Sequence, residues 1–241
     1  SFRNKVINGA MTIDKRNSGS SVGTGSGVGV YTVDRWLAYY NQNNKFTIQQ
    51  NAGSVTPPAS FKNYLGVTSS SAYTVGAAEE FSINQYIEGF NASDLDWGSS
   101  SAKTVTLSFF VRSSLTGAFG GAIRNYASNR SHPYTYTISS ANTWEHKTVT
   151  IVGDTSGTWE GATNTGAIII GFGLGVGASN SETAGAWVAG NKASATGATS
   201  VVGTNGATFY ITGVQFETGT SATPFEHRPI GTELSLCKRY Y

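Results

Sequence analysis

Apolar and polar positions alternate with a period of two along much of the chain. In KTVTLSFFVR, Val105, Leu107, Phe109 and Val111 share one face. Thr104, Thr106, Ser108 and Phe110 share the other, which predicts a strand with one side on the core and a mainly polar outer side. Similar runs rich in β-formers are VINGAMTI (6–13), YTVDRWLAYY (31–40), KFTIQQ (45–50), FKNYLGV, FSINQYIEGF, YTYTI (134–138), HKTVTIVG (146–153), AIIIGFGLGV and TFYITGVQFE (208–217). No helical period is sustained. About ten strands separated by loops predict an all-β protein, an antiparallel β-sandwich. A jelly roll is the favoured form, because it limits exposed sheet edges.

Two segments break the pattern. RNSGSSVGTGSGVG (16–29) predicts a flexible loop. The stretch 178–207 is long, rich in small residues and carries one tryptophan. Loops of that length are usually functional or held by a partner. No repeat or composition break divides the chain, so one domain spans 1–241.

Composition supports the strand reading. Charged residues are 12% of the chain and Gly contributes 30 residues, which is too little charge for helical surfaces. The net charge of +2 comes from 16 basic and 14 acidic residues without a basic stripe, so no nucleic-acid footprint is visible. AIIIGFGLGVG (167–177) is too short to span a bilayer. The single cysteine cannot form an internal disulfide. A start without Met or a signal-peptide core reads as a fragment of a longer protein.

Motifs for chemistry are sparse. His132, His146 and His227 are scattered without ligand spacing, and no metal site or cofactor is expected. No nucleophile elbow or phosphate-cradling glycine fingerprint appears. Asp94 and Asp96 beside Trp97, in NASDLDWG (91–98), form one of the few close acid pairs and invite comparison with glycoside hydrolysis. The same residues suit an Asx-rich turn, which is favoured, and their oxygens could also hold calcium. Asp34 and Arg35 read as a structural pair within a strand, with Trp36 in the core.

Sugar binding needs an aromatic platform ringed by polar groups. Trp187 in the long loop, Trp159 in DTSGTWEG with Glu160 and Asn164 nearby, and Tyr126 with Asn125, Asn129 and Arg130 in IRNYASNR are the candidates. Each aromatic has an alternative role, pinning its loop to the body or to a partner subunit.

The segment FYITGVQFETGTSATPFEHRPIGTELSLCKRYY (209–241) resembles the C-terminal signature of bacteriophage tail-fibre and virion attachment proteins. The matching residues are Val214, Gln215, Phe216, Glu217 and Gly219, then Pro224, Phe225, Glu226 and Arg228, then Glu233, Leu234, Cys237, Arg239, Tyr240 and Tyr241. NKVINGAMTIDKR, YTVDRW, KTVTLSFFVRSSLTG and NTWEHKTVTI extend the resemblance over nearly the whole chain. It implies a jelly-roll domain at the distal end of a trimeric virion fibre that contacts the bacterial surface. The strand ending in Arg112, the position of Trp144 and the closing TGVQFE strand also resemble carbohydrate-binding modules, at the level of fold.

Three functions follow as expectations: a non-enzymatic receptor-binding domain that recognises a bacterial surface glycan or other host receptor; a capsule or lipopolysaccharide depolymerase; and a structural fibre-tip domain. The first is preferred. Residues 224–241 are expected to act as a structural clasp, carried by Phe225, Glu226, Arg228, Leu234, Cys237, Arg239 and Tyr240. Cys237 reads as a small buried hydrophobe, and Thr232 as a helix cap.

Overall fold

In the computed structural model, residues 2–25 and 27–239 are described. The strands are β1 (Val22–Gly23), β2 (Gly29–Tyr31), β3 (Leu37–Tyr40), β4 (Phe46–Gln50), β5 (Leu65–Ser69), β6 (Glu80–Glu88), β7 (Val105–Ser113), β8 (Gly117–Asn125), β9 (Arg130–Ile138), β10 (Glu145–Ile151), β11 (Gly166–Val176), β12 (Ser181–Glu182), β13 (Val188–Ala189), β14 (Ser194–Ala195) and β15 (Thr208–Thr218). Two short helices join them, α1 (Gly89–Ala92) and α2 (Ile230–Lys238).

Two antiparallel sheets make a sandwich. One has six strands in the order β1-β4-β5-β15-β7-β10, the other seven in the order β13-β9-β8-β11-β6-β3-β2. The chain crosses repeatedly between them, as from β5 to β6, β6 to β7 and β7 to β8, which is the winding of a jelly roll. Inward side chains fill the space between the sheets: Trp36, Phe46, Phe81, Phe109, Phe119, Phe172, Phe209 and Phe216 are fully buried. Each such side chain contributes about 1.5–3 kcal/mol by leaving water. Phe109 sits at the centre, edge-on to Phe172 at 5.0 Å and to Tyr136 at 4.9 Å.

Three expectations change. VINGAMTI forms no strand: Asn8 and Met11 take positive φ, and Asn8 bonds Ile13 through both side-chain atoms. The segment docks instead against a bulge in β15, where the register shifts between Thr212 and Gln215. There the Val214 amide donates to Gly9 O at 3.0 Å and the Lys5 amide to Phe216 O at 2.9 Å. Gly9 is required by this approach, since a Cβ would lie 2.1 Å from the Val214 carbonyl oxygen. YTVDRWLAYY is a hairpin rather than one strand. Arg35 turns the chain with φ 77°, and Trp36 drops into the core at the start of β3. The Gly-rich run GAFGGAIRN, which lacks a strand signature, is β8.

The outer side of β7 is also not a wet face. Thr106 and Ser108 are buried, and Thr106 Oγ1 donates to Gly219 O at 2.9 Å. Neighbouring Gln215 and Glu217 of β15 are buried too, bonded to each other and to Thr223. The segment after β15 thus folds back across this sheet.

The other sheet is covered by the long loop. Within 178–207 the chain forms β12, β13 and β14, with β13 pairing β9, so it is neither structureless nor detached. Beneath it Arg124 and Glu80 form a two-pronged ion pair at 3.0 and 3.2 Å, capped by Asn191 from the loop at 3.0 Å. Ser82 and Asn84 complete the buried network. The first loop is partly ordered as well, since β1 within it pairs with β4.

Candidate functional site

The sugar-binding candidates divide between two places. Trp159 and Trp187 converge with Trp97 in a three-indole cluster, with centroids 4.8, 5.2 and 5.3 Å apart and planes 72–85° apart. All three ring N–H groups bond inward. Trp97 donates to Lys103 O at 2.8 Å, Trp187 to Val152 O at 2.7 Å, and Trp159 to Asp154 Oδ2 and Ser156 O at 3.3 Å each. His132, buried, lies edge-on to Trp187 at 5.2 Å. Burial lowers its pKa, since a charged imidazole there would lose its water.

Arg130 and Asn125 serve the same corner. Arg130 grips the buried Asp154 with two bonds of 2.6 and 2.7 Å. Asn125 closes the β8–β9 turn: its Oδ1 accepts from the Asn129 and Arg130 amides, both at 3.0 Å, and its Nδ2 reaches Thr158 O. These groups tie the 152–165 loop and the long loop to the sandwich.

Tyr126 faces elsewhere. It borders an open cleft of about 350 Å³ lined by Tyr31, Arg35, Leu37, Tyr86, Glu88, Tyr126, Asn164 and Gly166. The hairpin supplies Tyr31, Arg35 and Leu37; β6 supplies Tyr86 and Glu88; the β8–β9 turn supplies Tyr126. Tyr31 and Tyr126 are 43% and 51% exposed, unusually open for rings of their size. Tyr86 meets Tyr126 edge-on at 6.0 Å. The Tyr126 ring also lies over Gly166, where a Cβ would stand 2.6 Å from it.

The polar groups of the cleft are held in place. Arg35 Nη2 donates to Tyr86 O at 2.9 Å. Glu88, 4% exposed, accepts from Asn91 Nδ2 at 3.1 Å and faces Arg239 Nε at 3.5 Å through Oε1. Among the described residues, its buried Oε2 has no hydrogen-bond partner. Burial pulls the Arg35 pKa down and pushes the Tyr86 pKa up. Open aromatic rings beside fixed donors and an acceptor can stack on C–H faces and bond hydroxyls. Of this set the sequence singles out Tyr126, Asn164 beside Trp159, and Arg35, the last read as structural. Tyr31, Tyr86 and Glu88 come from strands far apart in the chain, with no local motif to join them.

The acidic pair at 94 and 96 is engaged with lysines. Asp94 meets Lys5 at 2.6 Å and Asp96 meets Lys103 at 3.1 Å. Asp96 takes φ 55°, so the segment turns there as an Asx-rich loop does. Among the described residues, no group of three or more His, Cys, Asp or Glu is placed to hold a metal ion. Asp34 accepts the Lys15 amide at 2.9 Å and is not in an ion pair with Arg35 among the described contacts.

The tail binds the chain's beginning. Arg228, with its side chain 4% exposed, donates to Val6 O at 3.0 Å and to Asn4 O, and pairs with Glu233 at 3.1 Å and Glu226 at 3.7 Å. Glu226 accepts from the Arg3 and Asn4 amides, and Glu233 from the Asn8 amide. Phe225 packs on Phe61 at 5.1 Å. The helix α2 starts at Ile230 behind Pro229, before Thr232, and no side chain caps it. On its inner face Cys237 joins Ile7 and Ile13, with Leu234 and Leu236 alongside, in a small cluster separate from the main core. Burial pushes the Cys237 thiol up to about 12. Arg239 reaches Glu88 at the cleft and lies over the Phe90 ring at 5.9 Å. Tyr240 lies outside the described residues.

No protein-family profile and no curated protein sequence matches the chain. Among solved structures it is similar to a putative sugar-binding protein from Bacteroides thetaiotaomicron, at 11% identity and TM-score 0.49, over 90% of this chain and all of that one. It is similar to the enzymatically active domain of bacteriophage CBA120 tailspike protein 4, at 11% identity and TM-score 0.45. That match covers 90% of this chain and 22% of the tailspike chain. A family 11 carbohydrate-binding module of Clostridium thermocellum matches at 14% identity and TM-score 0.36, over 83% of this chain and all of the module. At these values the likeness assigns no ligand and no residue role to this protein.

Proposed function

We propose that this protein is a non-enzymatic attachment domain of a bacteriophage tail fibre, which binds a polysaccharide of the bacterial surface in the Tyr31–Tyr86–Tyr126 cleft. The observation that carries the reading is the cleft itself, where two open tyrosine rings flank held polar groups. The attachment role draws on the resemblance of the 209–241 segment to phage fibre proteins. As part of the same proposal the domain works as a homotrimer in the virion, joined to the rest of the fibre. Three weak sites on one particle would then add up to firm attachment.

The test uses purified host-surface polysaccharide. The wild-type domain is expected to bind cells, to be displaced by the soluble polysaccharide, and to release no reducing ends from it. Tyr126→Ala and Tyr31→Ala are expected to weaken binding, since each removes an exposed ring worth about 0.5–1.5 kcal/mol of stacking. Reducing ends that vanish in Asp94→Asn or Asp96→Asn would replace the reading with a depolymerase. A domain that binds neither cells nor polysaccharide would be a structural fibre tip.

A further inference from the structure

A carboxylate oxygen in the wall of the cleft lacks the partner that burial demands. Glu88 lines the cleft and is 4% exposed. Its Oε1 accepts from Asn91 Nδ2 at 3.1 Å and faces Arg239 Nε at 3.5 Å. Its Oε2 is shut off from water and, among the described residues, has no hydrogen-bond partner. Leaving an anionic oxygen unbonded costs more than leaving a neutral one, and a donor brought to it forms a strong, charge-assisted bond. The last torsion of a glutamate is broad, so a small turn of the carboxylate presents Oε2 to the cleft without moving the stem.

The charges around the opening narrow what that donor can be. Two charged side chains line the cleft, Arg35 and Glu88, one of each sign. Arg35 is engaged within the chain, with Nη2 on the Tyr86 carbonyl at 2.9 Å, and Arg16 and Arg239 also have partners of their own. No cation here awaits an acid, and a ligand carboxylate would stand against Glu88. A ligand ammonium would meet the Arg35 charge in the lining and that of Arg239 beside the same carboxylate. A sugar hydroxyl donates without adding charge of either sign. The Tyr31 and Tyr126 rings, 43% and 51% exposed, offer stacking faces to the pyranose that carries it.

We infer that the ligand of this cleft is an uncharged saccharide, and that Glu88 selects it by accepting a sugar hydroxyl through Oε2. The inference rests on the proposed glycan-binding reading of the same cleft. It adds the chemical class, a neutral sugar with a free hydroxyl at one position, and a specificity-determining residue, Glu88.

The experiment offers the intact domain an array of bacterial glycans, neutral, uronate-bearing, phosphorylated and N-deacetylated. Oligogalacturonate with its carboxyl-reduced form, and chito-oligosaccharide with its N-acetylated form, are included as matched pairs. The tightest binder is expected to be neutral and to be weakened by Tyr126→Ala, and in any pair that binds the uncharged member should bind tighter. Calorimetry then compares that glycan with its monodeoxy derivatives. On wild type one derivative is expected to bind about tenfold or more weakly, because its loss leaves the buried carboxylate oxygen unpartnered again. Glu88→Gln is expected to weaken the parent glycan by a similar factor and to bind parent and that derivative alike. If Glu88→Gln fails to fold, the deoxy series on wild type still decides the matter. A series in which no derivative loses tenfold, or a Glu88→Gln affinity equal to wild type, overturns the assignment to Glu88. A charged glycan as the tightest binder, weakened by Tyr126→Ala, overturns the uncharged class and keeps the saccharide reading of the cleft. Binding of no glycan, or binding that neither Tyr31→Ala nor Tyr126→Ala weakens, overturns both.

Discussion

Replacing Arg228 by Met cuts the bonds that hold the tail to the chain's beginning. The Arg228 side chain is 4% exposed and serves two backbone carbonyls and two carboxylates, those of Glu226 and Glu233. Removing one partner of such a buried set costs about 3–5 kcal/mol, largely because the remaining charges lose their compensation. The loss falls on α2 and its small cluster, which is separate from the main core, so the clasp opens more readily than the sandwich unfolds. Cys237 reports the opening. With its pKa near 12 in the closed clasp, about one thiol in 10,000 is ionised at pH 8, against about a quarter for a free thiol. Wild type should therefore label with iodoacetamide about three orders of magnitude more slowly than the unfolded chain. For labelling that passes through the open clasp, a 3 kcal/mol easier opening raises the rate by about two orders of magnitude in Arg228→Met. Tryptophan fluorescence is expected to show the sandwich still folded during labelling. Wild-type labelling at the free-thiol rate, or an unchanged rate in Arg228→Met, would refute the reasoning.

Three further outcomes are expected. Gly9→Ala places a Cβ 2.1 Å from the Val214 carbonyl and should cost about 1–3 kcal/mol by denaturant unfolding, as overpacking does. Gly166→Ala pushes the Tyr126 ring off its seat; glycan affinity measured by calorimetry should fall while the melting temperature moves little. Burial lowers the pKa of His132, so below about pH 6.5 the unfolded chain takes up more protons and stability drops with acidity, up to about 1.4 kcal/mol per pH unit. Stability at pH 5 and 7 should show this, and His132→Phe should flatten the slope.

The strands were legible wherever one face meets the core and the other carries polar groups. β7 and β10 fall where period two places them, whereas β11 and β15, buried along nearly their whole length, showed as runs of β-formers. β8 escaped notice because GAFGGAIRN substitutes glycine where β-formers give the signal. Those small residues fit a crowded sheet, as at Gly120, where a Cβ would meet Ser194 and Ala198 of the covering loop. VINGAMTI misled because alternation says nothing about φ, and Asn8 and Met11 bend the segment. The outer faces were misjudged for a different reason. What covers them lies far along the chain, at 178–199 over one sheet and 219–228 over the other. The cleft was illegible for the same cause: Tyr31, Tyr86 and Tyr126 meet only after three strands are ordered in one sheet. Tryptophan was over-weighted as a marker of sugar contact, since three of the indoles join the loops to the body.

That indole cluster gives the molecule an optical signature. Three chromophores within 5.3 Å and at steep angles to one another share their excited states, so their far-ultraviolet dichroism contains a coupled band that isolated tryptophans lack. Trp97 follows α1, Trp159 lies between β10 and β11, and Trp187 sits in the long loop. The band therefore keeps its full shape only while all three connections are seated together. Its disappearance would time the release of the loops from the sandwich without any added label.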